Sequence, residues 1–295
     1  MLGVRPPSCA GSVYPDDPAR LREALDGWLA PGARAAARRA TARVRPARRE
    51  PVRLLVAPHI DYPRGALGYA RAYAALDRVG ADLFVVFGTA HRTPPHLFTL
   101  TRRHYGTPLG PVATDRAVVD ALVAELGEGE LLADERHHAD EHSVELQLVV
   151  LRHLLRRPFT AVPVLCSSIS HLPEPAPFTA RFLAALGRAV RGRNVCFVAG
   201  ADLAHVGPLY GDPSPPTRAE AARIEAEDRR TLAFLAAGDA DGFHRDGVRD
   251  DARRRLCGVA PIYAAMRASG RGAALLHYER WTDGRDSVSF AAAAG

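Results

Sequence analysis

The chain has 295 residues, 47% of them hydrophobic and 24% charged, a composition that supports a substantial buried core and excludes a disordered chain. Its net charge of +6 comes from 39 basic and 33 acidic residues, and every basic residue is arginine. The absence of lysine excludes Schiff-base chemistry, a lysine general base and a phosphate-loop lysine.

Three further observations concern cellular location. No apolar run approaches the ~18 residues that a membrane-spanning helix requires, and the first residues lack the basic and apolar regions of a secretory signal. The four cysteines show no paired spacing, so a disulfide framework is not expected. We therefore expect a cytoplasmic protein that does not associate with membranes.

The first predicted element is a helix. Asp17 supplies a capping carboxylate, Pro18 suits the first helical position, and the pair Pro31-Gly32 is predicted to end the helix. An arginine-rich stretch follows at 34–52. Because it contains no aromatic residues, it indicates a solvated surface connector and not a nucleic-acid or membrane-binding patch.

After this connector, near-continuous apolar runs alternate with helical patterns. Such runs indicate strands that are buried on both faces of a sheet, and the alternation predicts one three-layer α/β/α domain over residues 1–295 with a central mixed, mostly parallel sheet. Strands are predicted at 53–58, 82–87, 159–165, 194–200, 273–279 and 286–291, and helices at 66–79, 114–126, 141–156, 176–190, 217–237 and 257–268.

Three potential metal ligands follow apolar segments. His59 and His91 each come after a strand that ends in small residues, and Cys257 opens a helical pattern. In open α/β sheets, ligands bind beyond the carboxyl ends of the strands, so two imidazoles on what we take to be neighbouring strands favour joint ligation. A helix N-terminus would also stabilise the thiolate of Cys257. Taken singly, each histidine is more typical of a loop residue bonded to backbone than of a ligand, and Cys257 is more typical of a core residue.

A second group of polar residues precedes the helix predicted at 141–156. His138 and His142 lie four residues apart, as do Glu141 and Glu145, so each pair is expected to share a helical face. The alternative is a solvated, charged helix start. If the group is functional, His142 fits substrate binding or proton transfer better than primary ligation.

Two more candidates flank predicted strands. Asp202 and His205 follow the strand at 194–200, where His205 would act as a general acid or base oriented by Asp202. Asp61, two residues after His59, could add a carboxylate to the same site. The alternative for Asp202 and His205 is a capped turn with a structural histidine.

Short motifs in a fixed order span nearly the whole chain and resemble those of the Memo family, which includes the AmmeMemoRadiSam system protein B group of bacteria and archaea. They are Arg5-Pro6, Ala10-Gly11-Ser12-Val13-Tyr14-Pro15, Ala57-Pro58-His59, Gly88-Thr89-Ala90-His91, Thr107-Pro108-Leu109-Gly110, Glu141-His142-Ser143-Val144-Glu145, Asp202-Leu203-Ala204-His205 and Cys257-Gly258.

This resemblance implies a fold similar to that of the class III extradiol dioxygenases. It also implies a metal site with His59, His91 and Cys257 as ligands, and with Asp202 and His205 in the same pocket. Family members have been associated with iron or copper and with redox chemistry. Neighbouring bacterial genes encode a radical SAM enzyme and an AMMECR1-like protein, which suggests both as pathway partners.

The chain departs from the family pattern beside the first expected ligand. Where the family reads P-H-A-G-Y, this chain has Ile60 and Asp61 in place of alanine and glycine, and Arg64 follows. Arg64 offers a fork suited to a carboxylate or phosphate, or it pairs with Asp61. The family's Ser-Ser-Asp is Gly200-Ala201-Asp202 here, so no serine role carries over.

Three functions are compatible with these residues. The first is a redox enzyme dependent on iron(II), with copper or zinc as alternatives, acting on a small molecule or peptide, with His205, Asp202, His142 and Asp61 around the metal. The second is a non-enzymatic metal-binding scaffold that docks its partners. The third is a hydrolase with Cys257 as nucleophile and His205 as base.

Overall fold

The computed structural model describes residues 3–41, 51–92, 94–167, 177–249 and 251–295. The strands are β1 Val4–Arg5, β2 Leu54–Ala57, β3 Leu83–Thr89, β4 Phe98–Leu100, β5 His104–Tyr105, β6 Ala113–Thr114, β7 Thr160–Cys166, β8 Val195–Gly200, β9 Asp202–Val206, β10 Ala274–Thr282 and β11 Ser287–Ala294. The α-helices are α1 Pro18–Thr41, α2 Tyr62–Tyr73, α3 Arg116–Leu126, α4 Glu128–Leu131, α5 His142–Leu154, α6 Pro177–Ala189, α7 Arg218–Ala237, α8 Ala240–Arg249, α9 Asp251–Arg254 and α10 Val259–Ser269.

Nine strands form one mixed sheet in the order β10-β11-β2-β8-β3-β7-β4, with β6 beside β7 and β9 beside β11. The four central strands β2, β8, β3 and β7 are parallel, whereas β10, β11 and β4 run antiparallel to their neighbours. Strands β1 and β5 form a separate parallel pair. The predicted mixed, mostly parallel sheet is confirmed.

Helices cover both faces of this sheet. Side chains alternate along β3, so that Val85 and Phe87 pack with α3, α6, α7, α8 and α10. Phe84 and Val86 pack on the opposite face with α1, α2 and α5. Because both faces bury apolar side chains, the central strands are apolar at nearly every position, and the predicted three-layer α/β/α architecture is confirmed.

The predicted helix start at Asp17 is confirmed, because its carboxylate accepts hydrogen bonds from the backbone nitrogens of Ala19 and Arg20. The predicted stop at Pro31-Gly32 is wrong: α1 continues to Thr41. The alanine-rich sequence after Gly32 favours helix strongly enough to carry the element past the proline. Residues 34–41 of the predicted connector are therefore helical, and residues 42–50 lie outside the described part of the chain.

Among the described helices, none has the length together with the apolar character that crossing a bilayer would demand.

Candidate metal centre

The candidate centre lies at the carboxyl end of the parallel strands. His59 follows β2 by two residues and His91 follows β3 by two residues. The two strands are not neighbours, contrary to our prediction, because β8 lies between them and pairs with both. The two imidazoles meet above the end of β8, with ring centroids 5.0 Å apart.

Gly200, the last residue of β8, lets the first turn of α5 lie close to the end of this strand. A Cβ atom there would lie 2.5 Å from the backbone oxygen of Ser143, in the first turn of α5. Glycine therefore lets the start of α5 rest against the end of the strand, where any larger residue would displace it.

Three potential ligands converge at this point. The ligand atoms of His59, His91 and Cys257 all lie within 4.8 Å of one another, and the Cys257 Sγ atom is 3.4 Å from the His59 Nε2 atom. A nitrogen and a sulfur bound to one tetrahedral ion would be separated by about 3.5 Å, given ordinary zinc–ligand distances. The donor set and its spacing thus fit a transition-metal ion.

The tautomer of His59 is fixed by its surroundings. Its Nδ1 atom lies 2.9 Å from the Gly200 carbonyl oxygen and must donate a proton to it, which leaves Nε2 as a lone-pair donor facing Cys257. Burial, together with the nearby His91 and His142, lowers the pKa of His59 well below its usual value. The ring is therefore neutral, as a metal ligand must be.

Glu141 engages the Nδ1 atom of His91, as Gly200 engages that of His59. Both of its carboxylate oxygens lie 3.0 Å from the His91 Nδ1 atom, and one also accepts the His91 backbone N–H at 2.9 Å. Burial lowers the pKa of His91. The hydrogen bond and the charge of Glu141 raise it by more than burial lowers it, so the pKa of His91 lies above its usual value. Burial raises the pKa of Glu141, yet His91 and His142 hold it well below its ordinary range.

This arrangement of carboxylate, histidine and free Nε2 is typical of metal sites, in which the carboxylate orients the ligand. We did not assign this role to Glu141 from the sequence. Its position directly before a helix that starts at His142 was the available signal, but the partner, His91, lies 50 residues away in the chain.

Cys257 lies just before α10, whose N-cap is Gly258. A Cβ atom on Gly258 would lie 2.2 Å from the Asp202 backbone oxygen, so this close contact demands glycine. Burial and the Asp202 carboxylate raise the pKa of Cys257. The thiolate would therefore need a bound cation, beyond the predicted effect of the helix N-terminus, to stabilise it.

Asp202 contacts His59 and not His205. One carboxylate oxygen accepts the His59 backbone N–H at 3.0 Å, and the other lies 3.6 Å from His59 Nε2. Burial raises the pKa of Asp202 to about 7. The expected contact in which Asp202 orients His205 is therefore not formed, and Asp202 contacts His59 instead.

His205 is held by its own strand. Its Nδ1 atom donates to the Leu203 carbonyl at 3.0 Å, and the Arg255 backbone also interacts with the ring. Burial lowers the pKa of His205 to about 4, so the ring is neutral near pH 7. The Tyr210 ring packs edge-on against it at 5.0 Å.

His142 joins the centre, whereas His138 does not. The His142 ring stacks on His91 at 4.7 Å, and its Nδ1 atom lies 3.3 Å from Glu141. His138 lies in a short 3-10 turn before α5 and bonds to Tyr105 and Thr99. The expectation that residues 138 and 142 share a helical face is therefore wrong, because α5 begins only at residue 142.

Asp61 caps α2 at the edge of the same site. Its carboxylate accepts the Arg64 backbone N–H at 3.1 Å and lies 3.0 Å from the Arg64 Nε atom. It thus lines the site beside His59 without contacting the His59 ring.

A cavity of about 510 Å³ opens beside His59 and His91. Its walls include both polar and apolar side chains. The polar ones are Ser8, His59, Asp61, Arg64, His91, Asp140, His142, Asp202 and His205, and the others are Cys9, Val13, Ile60, Leu146, Tyr210 and Val288. The cavity therefore brings together the residues predicted at positions 59, 61, 91, 142, 202 and 205. Cys257 is not part of its lining but contacts His59, which is.

Comparison with known proteins gives one consistent family. A family model described as "Memo-like protein" matches residues 5–294. A MEMO1 family protein of Methanothermobacter thermautotrophicus is 29% identical over 90% of this chain and 88% of its own length. Another, of Thermococcus onnurineus, is 27% identical over 93% of this chain and 92% of its own length. A crystal structure of an uncharacterized protein of Escherichia coli K12 superposes with a TM-score of 0.46 at 15% identity, covering 82% of this chain and 98% of that one.

Proposed function

The chain belongs to the Memo family, and on this premise we propose that it binds one transition-metal ion through His59, His91 and Cys257. We further propose that the ion is iron(II), with copper or zinc as alternatives, and that the protein uses it in a redox reaction on a small-molecule or peptide substrate. The reaction would belong to a pathway shared with radical SAM and AMMECR1-like proteins.

One observation carries the metal proposal. In both histidines the Nδ1 atom is engaged, by Gly200 in one and Glu141 in the other, so the remaining Nε2 atoms are left as lone-pair donors. The Cys257 sulfur lies beside one of them. His138, by contrast, uses both ring nitrogens in hydrogen bonds to Tyr105 and Thr99.

Two imidazoles and a thiolate suit iron or copper, and such an ion supplies electron transfer that these side chains cannot provide alone. The protein's own groups have separate tasks. His205, which burial keeps neutral and which lines the cavity, accepts a proton from the substrate. His142 contacts the substrate beside His91, and the apolar side chains of Val13, Ile60 and Leu146 limit the entry of water.

A non-enzymatic docking role is the second candidate, favoured by Leu209. This side chain is 74% exposed and lies next to Tyr210, which lines the cavity. Metal binding without turnover, in a complex with a partner, would indicate this role.

The cysteine hydrolase finds little support in the geometry. The imidazole beside the Cys257 sulfur belongs to His59, which is already bonded to Gly200, and not to His205. Burial also raises the pKa of the thiol, which leaves the sulfur a weak nucleophile.

Metal analysis of anaerobically purified protein tests the proposal. Wild-type protein offered iron(II), copper(I) or zinc(II) in turn should retain about one equivalent of at least one of them. His59→Ala, His91→Ala and Cys257→Ser should each lower occupancy at least ~10-fold, because each removes a ligand. His205→Ala, the matched control, should keep the metal. Wild-type protein that retains none of the three ions would refute the proposal.

A further inference from the structure

We infer that the substrate joins an apolar body to a carboxylate, and that the guanidinium of Arg64 holds this carboxylate at the cavity wall. The inference rests on the proposed function, since it names the substrate class of the same site. It comes from the segment in which the chain departs from the family pattern.

Arg64 is held in place by two contacts. Asp61 accepts its backbone N–H and lies 3.0 Å from its Nε atom, and the guanidinium carbon sits 4.5 Å from the centre of the Trp281 ring. The side chain is thus fixed on an aromatic surface before any ligand arrives. Such fixing reduces the entropy lost on binding.

The two terminal nitrogens of Arg64 remain available. Within the described ranges, neither Nη atom makes a hydrogen bond of good geometry to a protein acceptor, and the side chain is 46% exposed while lining the cavity. Two adjacent N–H groups in one plane match the two oxygens of a carboxylate.

An apolar surface adjoins this fork. Ile60, Val288 and Phe290 form a small buried cluster against which Tyr210 and Trp281 pack. The Ile60 side chain fits closely over Gly65, where a Cβ atom would lie 2.7 Å from the Ile60 Cγ2 atom. Ile60 therefore contributes to an apolar wall, and Asp61 orients a cation beside it.

The charge balance favours a monoanion. Asp61 already neutralises Arg64, so the pair has no net charge before a ligand binds. A dianionic phosphate would add two charges close to the Asp61 carboxylate, at a higher electrostatic cost than a carboxylate. We therefore assign a carboxylate and not a phosphate to this position.

Binding of matched probes tests this assignment. Benzoate, benzamide and phenyl phosphate share one apolar ring and differ in the group offered to Arg64. Titrations would follow the fluorescence of Trp281 in a Trp28→Phe background, since the chain has two tryptophans. Saturation-transfer NMR of each probe provides a readout that does not depend on Trp281. Zinc-loaded and metal-free protein would both be titrated.

Wild-type protein should bind benzoate at least ~10-fold more tightly than benzamide, the usual order for a charge-assisted, bidentate pair. Arg64→Gln should abolish this preference, and Arg64→Lys should retain part of it. Arg92→Gln is the control: Arg92 pairs with Asp140 at the cavity rim and is 69% exposed, so its loss should leave the preference intact.

Three results would overturn the inference: equal binding of benzoate and benzamide to wild type, a preference that survives Arg64→Gln, or phenyl phosphate binding ~10-fold more tightly than benzoate. The metal proposal fails separately. An Arg64-dependent preference in protein that retains no metal would support the carboxylate position while refuting the redox function. Metal retention without that preference would support the metal proposal and refute the carboxylate position.

Discussion

Two glutamates, one helical turn apart at the start of α5, serve different ends. Glu145 accepts hydrogen bonds from Arg5, from the backbone and hydroxyl of Ser8, from the Cys9 backbone and from Tyr14. We call this group of five residues the N-terminal clasp. Glu141 instead directs its charge at His91, whose second ring nitrogen stays open to the cavity.

The difference separates a structural charge cluster from a binding site. In the clasp, a fully buried carboxylate and a nearly fully buried guanidinium satisfy each other, and no polar atom of Glu145 is left for a ligand. At Glu141 the hydrogen bonds end in an imidazole with an unused nitrogen. Buried charge alone therefore does not mark a functional site, whereas an unused ligand atom held in place by a buried charge does.

The largest expected effect is on the clasp. Arg5→Ala leaves the Glu145 carboxylate buried without its counter-charge, and should lower the free energy of unfolding by about 3–5 kcal/mol in urea denaturation. Arg267→Ala breaks a pair in which both side chains are about half exposed, and should cost under about 1 kcal/mol. Equal effects of the two substitutions would show that the clasp is not structural.

The next effect concerns the other glutamate. Glu141→Gln keeps the shape of the side chain but removes the charge that orients His91, and should weaken metal affinity about 10- to 100-fold in chelator competition. It should change urea stability much less than Arg5→Ala does. A variant that loses stability without losing metal would mean that the roles of the two glutamates have been reversed.

The smallest effect is a pH dependence beside the clasp. His138 donates from Nε2 to the Thr99 carbonyl and accepts the Tyr105 hydroxyl at Nδ1, and burial lowers its pKa to about 3. The unfolded chain takes up this proton near pH 6.5 and the folded chain does not, so stability falls as pH drops below 6.5.

Between pH 7 and pH 5, His138 should therefore cost the wild type about 2 kcal/mol of unfolding free energy. Urea denaturation of wild type and His138→Gln at both pH values measures this loss as a difference in slope, in which the other titrating groups cancel. Parallel slopes would contradict the assignment of a neutral, buried His138.

Local sequence was sufficient for the central strands and for the positions of His59 and His91. Unbroken apolar runs that end in small residues identify such strands, and a histidine directly after one must lie at the edge of the sheet. The Asp17 cap was readable for the same reason, because its partners lie within three residues. These predictions required only neighbours along the chain.

Features that depend on distant partners were not readable. The Arg5–Glu145 pair joins residues 140 positions apart, and the place of β8 between β2 and β3 follows from pairings that span more than 100 residues. The prediction that Asp202 orients His205 was wrong for a related reason. The two residues are close in sequence, which suggested a contact, but the fold places His59 beside Asp202. The predicted helix end at Pro31 was wrong because the residues after it have high helix propensity, and α1 extends to Thr41.

The position of β8 also constrains when the centre can form during synthesis. A chain that has emerged from the ribosome only as far as His91 holds both histidines but lacks β8, the strand that lies between β2 and β3. Until Cys257 has emerged as well, the third ligand is absent. Under the proposed function, metal delivery in the cell must therefore follow translation of most of the polypeptide, and it cannot assist the folding of the first half.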